Sequence, residues 1–239
     1  MNLVIDIGNT RAKVFAFDGT EPVETLITDH TLSGVHDFAQ KWNCQCGIYS
    51  TTARMTTEGL RELEMLPFPI MRLTGQTPVP VNVTYHTKDT LGADRLAAIV
   101  GARTLQPEGN LLVIDSGTCL TYDFLDAEDH YRGGNISPGL QLRLQAMHEH
   151  TALLPLIDRE GDAPQLGYDT ETALRGGVVW GLTHEIEGYI AYFTEKYPRI
   201  SVFLTGGDAK NLPISAKYRI FADDFIVPRG LNTILRYNQ

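Results

Sequence analysis

Asp6-Ile7-Gly8-Asn9-Thr10-Arg11-Ala12-Lys13 is the stretch on which the reading of this chain turns. Asn2-Leu3-Val4-Ile5 before it and Val14-Phe15-Ala16-Phe17 after it are short apolar runs that read as strands. Gly8 and Asn9 are residues that tolerate φ > 0, so a tight β-hairpin is expected, with its turn between the two runs. That turn carries a carboxylate, an amide, a hydroxyl and a lysine. Exposed backbone N–H groups beside small polar side chains suit phosphate oxygens. Asp6, at the strand end, is placed to hold a hydrated Mg²⁺ that bridges such phosphates.

The motif returns. Val4-Ile5-Asp6-Ile7-Gly8-Asn9-Thr10 compares with Val113-Ile114-Asp115-Ser116-Gly117-Thr118, and each opens a series of three strands. Val23–Ile27 is the third strand of the first series; Leu120–Leu125 and His130–Ile136 continue the second. This reads as an internal duplication, two half-molecules that each offer a hairpin tip to a shared cleft. Pro107-Glu108-Gly109-Asn110 is the expected boundary, giving domains of 1–108 and 109–239.

Between the hairpins, strand and helix signals alternate, which predicts mixed sheets with helices on both faces. Ser33 is expected to cap a helix over Val35–Trp42. Cys46–Ser50 reads as a buried strand, Thr56 or Thr57 opens a helix carrying Leu60, Leu63 and Leu66, and Ile70–Leu73 and Val81–Tyr85 read as strands. Thr90-Leu91-Gly92-Ala93-Asp94-Arg95 leads into a small-residue helix, with Asp94 a natural N-cap. In the second half, Pro138 is expected to open a helix to His150, and residues 151–168 read as loop. Asp169-Thr170-Glu171-Thr172 begins a long helix to Lys196, whose Gly176, Gly177 and Gly181 are expected to admit another element closely. Ser201–Leu204 is a strand before Thr205-Gly206-Gly207-Asp208, Phe225–Val227 a last strand, and Pro228–Tyr237 a closing helix.

The chain has 239 residues, 43% hydrophobic and 21% charged, so a sizeable core needs no disulfide or metal staple. A net charge of -9 argues against a nucleic-acid partner or an anionic membrane. No apolar run approaches the ~20 residues that span a bilayer, and no secretory signal is evident. Cys44, Cys46 and Cys119 read as free thiols in a reducing cytoplasm, with Cys44 and Cys46 on one strand.

Taken in order, Asp6-x-Gly-Asn-Thr-x-x-Lys13, Gly92-Ala-Asp-Arg95, Asp115-x-Gly-Thr118, Gly133-Gly-x-Ile-x-Pro-Gly139, Thr170 with Ala173 and Gly176, and Thr205-Gly-Gly-Asp208 resemble the type III pantothenate kinase family. The resemblance spans nearly the whole chain. It implies an α/β fold of two duplicated ribonuclease H-like, actin-like domains, that of the acetate and sugar kinase, Hsp70 and actin superfamily. It implies ATP-dependent phosphorylation of pantothenate to 4′-phosphopantothenate, the first step of coenzyme A synthesis, by a cytoplasmic homodimer. Mg²⁺ and a monovalent cation, K⁺ or NH₄⁺, come with it.

Position by position, the resemblance assigns ATP binding to Asp6, Ile7, Gly8, Asn9, Thr10, Arg11, Ala12, Lys13 and Thr118. It assigns pantothenate binding to Tyr85, Gly92, Ala93, Asp94, Arg95 and Thr170, the proton acceptor to Asp94 and the monovalent cation to Asp115. Ser116 stands where the family commonly has Phe, and Cys119-Leu120 where small residues are usual. An arginine beside an anionic acceptor, and a carboxylate facing its hydroxyl, agree with the chemistry. Two other readings compete: another small-molecule kinase of the superfamily, and a non-catalytic transcriptional accessory protein.

Overall fold

β1 (Asn2–Ile7) is apolar almost throughout, with Leu3, Val4, Ile5 and Ile7 all fully buried. A strand without polar alternation belongs at a sheet centre covered on both faces, and that is its position. β2 (Ala12–Asp18) and β3 (Glu21–Thr28) follow as an antiparallel meander. β4 (Cys46–Thr51) and β5 (Ile70–Arg72) join on the other side of β1 in parallel, giving the order β3-β2-β1-β4-β5. Edge strand β3 alternates exposed and half-buried residues along its length. The computed structural model describes residues 1–239.

α1 (Val35–Lys41) follows β3 and α2 (Thr57–Glu64) follows β4. Thr56 caps α2 by accepting the Gly59 N–H, 3.0 Å. Leu63 and Leu66 enter the core, whereas Leu60 faces water. The expected Ser33 cap is replaced by Gly34, at φ 83°, with no side-chain bond to the helix. The expected strand 81–85 shrinks to β6 (Asn82–Val83), and just after it Thr84 gives both its N–H and its hydroxyl to the Tyr131 carbonyl. α3 (Ala93–Leu105) then completes the first half.

β7 (Leu111–Ser116), β8 (Cys119–Leu125) and β9 (His130–Pro138) restart the pattern. α4 (Leu140–Glu149) and α5 (Thr170–Lys196) follow, then β10 (Ser201–Thr205), β11 (Ile220–Ala222) and α6 (Ile226–Tyr237). This sheet runs β11-β10-β7-β8-β9-β6, with β10 parallel to both β7 and β11 and with β6 of the first half added in parallel at the β9 edge. Counted within each half, both sheets have the order third-second-first-fourth-fifth. The duplication read from two short motifs is therefore a duplication of topology.

Two compact units result, and neither is one uninterrupted stretch. The first comprises 1–108, 125–132 and 225–239, the second 109–124 and 133–224. A single cut after Glu108 misses two returning segments. In the first unit α6 packs on α3 backbone to backbone: a Cβ on Gly230 would lie 1.8 Å from the Ala97 oxygen. Asn232, buried on α6, donates to the Gly19 carbonyl and accepts from Asn2, binding the helix to the first hairpin.

Four further expectations change. Phe225–Val227 is not a strand: Ile226 starts α6, whose apolar residues recur at helical spacing, and the last strand lies at β11. Pro138 ends β9, and α4 begins after Gly139. Of the three glycines singled out in α5, only Gly176 is tightly approached, by the Pro164 carbonyl; Gly177 faces open space. Of Cys44 and Cys46, only Cys46 lies in β4; all three cysteines are free.

Asp169 is the N-cap of α5 and forms a capping box with Thr172. Asp169 accepts the Thr172 N–H at 2.8 Å, and the Thr172 hydroxyl takes the Asp169 N–H. No helix is long and apolar enough to cross a membrane.

Candidate active site

In the first unit the β1–β2 tip is a four-residue loop, Gly8–Arg11, closed by the Gly8 N–H on the Arg11 carbonyl at 3.1 Å. Neither Gly8 nor Asn9 takes φ > 0. The expected tight turn with φ > 0 is thus replaced by a four-residue loop of ordinary backbone. Asn9, Thr10 and Arg11 are exposed on it, and Lys13 faces Asp6 across the ladder.

Asp6 is half-buried, and its position follows from strand register. Parallel pairing sets it opposite Ser50 on β4. The fully buried Ser50 hydroxyl donates to the Asp6 carboxylate at 3.0 Å. Burial pushes the Asp6 carboxyl above the ordinary carboxylate range; Ser50 opposes that shift, and the charge of Asp94 adds to it. Asp6 and Asp94 therefore share one electrostatic neighbourhood.

Asp94 lies in the first turn of α3. Gly92, not Asp94, is the N-cap. The carboxylate accepts the Arg95 N–H at 2.8 Å, and a Cβ on Gly92 would stand 2.5 Å from its Oδ1. A side chain there would push the carboxylate out of its present position. Burial pushes the Asp94 carboxyl up, while the Arg95 N–H and guanidinium pull it down. Arg95 is buried, and its guanidinium lies over the Tyr85 ring, 5.8 Å from the centroid. Tyr85 packs in turn on Tyr131. Asp6, Tyr85, Gly92, Ala93, Asp94 and Arg95 thus belong to one unit.

The second unit carries the other predicted residues. Its β7–β8 tip is tighter, with Gly117 and Thr118 alone between the strands. Thr118 is exposed, and its carbonyl accepts the Gly139 N–H at 3.0 Å. A Cβ on Gly139 would meet the Gly117 oxygen at 2.1 Å, which accounts for the glycine ending the Gly133–Gly139 motif. Asp115 is the penultimate residue of β7, half-buried, with Gly206 against it; Asp208 donates its N–H to the Ser116 carbonyl. Asp208 itself is buried and paired with Arg159 at 2.7 Å; burial raises its carboxyl and Arg159 lowers it. Thr170, the first residue of α5, lines a largely apolar cavity of about 760 Å³ with Pro138, Arg143, Met147, Leu154 and Leu174.

Sequence reasoning missed Ser50. The one available signal was a polar residue closing the apolar run of β4, and its partner appears only through the parallel register. The arrangement offers a loop whose Asn9 and Thr10 N–H groups have no backbone acceptor and, in the same unit, the confined Asp94 carboxylate.

The duplicated sheet order gives the chain an actin-like α/β fold of two repeated halves. The family model for type III pantothenate kinase matches residues 2–192. A type III pantothenate kinase of Bacteroides fragilis is 48% identical over 239 residues, covering 100% of this chain and 98% of the relative. The chain belongs to the type III pantothenate kinase family. Among solved structures, one described as a Baf family transcriptional activator from Campylobacter jejuni aligns with TM-score 0.60 and 22% identity, covering 99% of this chain and 98% of that one. Another, described as a 2-dehydro-3-deoxygalactonokinase from Sinorhizobium meliloti, aligns with TM-score 0.58 and 15% identity over 100% and 99%. At those identities the likeness is one of fold.

Proposed function

We propose that this chain transfers the γ-phosphoryl group of ATP to the hydroxyl of pantothenate, yielding 4′-phosphopantothenate and ADP, the first step of coenzyme A biosynthesis. The observation that carries the reading is the placing of Asp94: a confined carboxylate at the start of α3, electrostatically close to Asp6 and next to Arg95 and Tyr85. Asp94 is the general base. It takes the acceptor proton as the new O–P bond forms and the bond to the β-phosphate bridging oxygen breaks. Arg95 meets the pantothenate carboxylate, and Tyr85, Gly92, Ala93 and Thr170 complete the acceptor contacts. The residues Asp6–Lys13 hold the ATP phosphates with Thr118.

Two oxygen ligands fit the ions of the family. Asp6, crowded by the charge of Asp94, gains from a cation and is the residue to hold Mg²⁺, through water; Mg²⁺ supplies charge neutralisation on the phosphates. Asp115 would hold K⁺ or NH₄⁺. The enzyme works in the cytoplasm.

A coupled ADP-release assay over pantothenate, acetate, hexoses and N-acetyl sugars tests the reading. Turnover is expected with pantothenate alone. Turnover only with a sugar or acetate would reassign the acceptor, and no turnover with any would favour the accessory-protein reading.

The working form is a homodimer. What supports this is the large apolar surface left in water between 136 and 168: Leu153 is 93% exposed and Leu166 87%. Sedimentation is expected to give twice the chain mass, and Leu153→Asp with Leu166→Asp to shift it to the monomer. A monomeric wild-type protein at micromolar concentration would rule the dimer out.

A further inference from the structure

The nucleotide tip is braced by a side chain that none of its motifs includes. His30 Nε2 lies 2.8 Å from the Gly8 carbonyl oxygen. A carbonyl only accepts, so the ring presents Nε2–H to it. Gly8 thereby has both backbone groups engaged, its N–H on Arg11 and its C=O on His30. In a trans peptide the C=O and the following N–H point in opposite directions. No peptide here is cis, so turning the Gly8 oxygen onto His30 aims the Asn9 N–H the other way. Neither Asn9 nor Thr10 donates its N–H to a backbone oxygen of the chain.

The mount that carries His30 is itself rigid. The Asp29 carboxylate accepts the Thr31 N–H at 2.9 Å, and the Asp29 carbonyl accepts that of Leu32 at 3.2 Å. Leu32 is fully buried at φ 59°, a left-handed conformation that side chains of its size rarely adopt. From the other side, the Thr56 hydroxyl donates to the His30 carbonyl at 2.8 Å, and a Cβ on Gly59 would stand 2.5 Å from that same oxygen. Residues that fix a turn this fully, at the cost of a strained leucine, deliver the imidazole to one place.

We propose that His30 is a positioning residue for the nucleotide: its Nε2–H holds the Gly8 carbonyl so that the Asn9 and Thr10 N–H groups stay directed at phosphate. This rests on the reading of Asp6–Lys13 as the ATP phosphate loop. The test compares His30→Ala, His30→Gln and Lys13→Ala in the full chain. The measurements are ATP Kd by calorimetry without pantothenate, kcat, both KM values and Tm. The glutamine amide nitrogen falls close to where Nε2 stands, so it can donate the same bond.

His30→Ala is expected to raise Kd and KM for ATP about tenfold, leaving KM for pantothenate unchanged, and His30→Gln to restore ATP binding to within about threefold. A role confined to packing would lower Tm and the active fraction without separating the two KM values. If His30→Ala binds ATP as wild type does while Lys13→Ala does not, the brace is wrong and the loop reading stands. If Lys13→Ala is also without effect, the loop reading falls and takes the brace with it. A glutamine variant as weak as the alanine one likewise overturns the proposal, because the donated bond is then not what matters.

Discussion

Asp94→Asn is expected to lower kcat by about 10²–10⁴-fold and to leave the Kd for ATP within a few-fold of wild type. Asparagine keeps the shape of the side chain and an Oδ1 that can accept the Arg95 N–H, so the first turn of α3 has no reason to move. What it lacks is a lone pair basic enough to take a hydroxyl proton. It also removes a negative charge near Asp6, which favours an anionic nucleotide if it changes ATP binding at all. Loss of ATP binding with undiminished turnover per bound nucleotide would show that Asp94 belongs to the nucleotide site rather than to the acceptor.

The pH dependence follows from the same burial. The Asp94 carboxyl lies above the ordinary value of about 3.9. The base is therefore protonated, and kcat/KM for pantothenate falls, at a pH where an exposed aspartate would still be ionised. For stability the sign is opposite. A raised folded-state value means the fold favours the protonated form, so the contribution is fully present below the unfolded value and is lost as pH rises through the folded one. At neutral pH the native state carries an unfavourable ionised group, and Asp94→Asn is expected to raise Tm while it lowers turnover. Because Asp6 is also shifted upward by burial and by Asp94, the acid limb reports the two carboxyls together. In Asp94→Asn the share of that limb due to Asp94 should be lost from the residual activity, leaving the share due to Asp6, moved to lower pH by the loss of the neighbouring charge.

Much of the fold could be read locally because its decisive signals are local. Leu3–Ile5 and Leu111–Ile114 are apolar runs ended by an acid with a glycine two residues on, and each opens the series that becomes the order third-second-first-fourth-fifth. Asp169 and Thr172 lie three residues apart, so their capping box is visible in the sequence itself. What escaped depends on distance or register. Ser50 reaches Asp6 only because β4 pairs parallel to β1, and His30 reaches Gly8 across 22 positions. Phe225–Val227 has the composition of a strand; only the apolar spacing that continues through Leu231, Ile234 and Leu235 marks Ile226 as a helix start, and that helix packs on Ala97 and Gly101 of α3, far earlier in the chain. Those contacts also return residues 225–239 to the first unit, which no composition shift at Pro107–Asn110 announces.

Gly230→Ala is expected to destabilise the protein by about 3 kcal/mol or more, at or beyond the top of the usual range for overpacking. Two effects with opposite signs meet at this position. Gly230 lies inside α6, where alanine instead of glycine ordinarily gains up to about 1 kcal/mol of helix propensity. Against that, the new Cβ would fall 1.8 Å from the Ala97 oxygen and 2.8 Å from the Gly101 nitrogen. Both are backbone atoms of α3, so no rotamer change relieves the clash and the helices must separate. Reciprocally, a Cβ on Gly101 would lie 1.9 Å from the Ile226 oxygen. Separation uncovers Ile226, Leu231 and Ile234, now fully buried, and a whole domain has only about 5–15 kcal/mol to lose. Since Asp94 opens α3, the loss extends to the acid's placement, and folded Gly230→Ala protein should show reduced kcat even below its transition. Once one glycine has forced the helices apart, the second substitution meets less resistance, so Gly101→Ala with Gly230→Ala should cost less than the sum of the single changes. Urea midpoints at constant m-value measure all three. A midpoint for Gly230→Ala equal to or above wild type would mean that α6 is an ordinary surface helix and does not hold the helix bearing the catalytic acid.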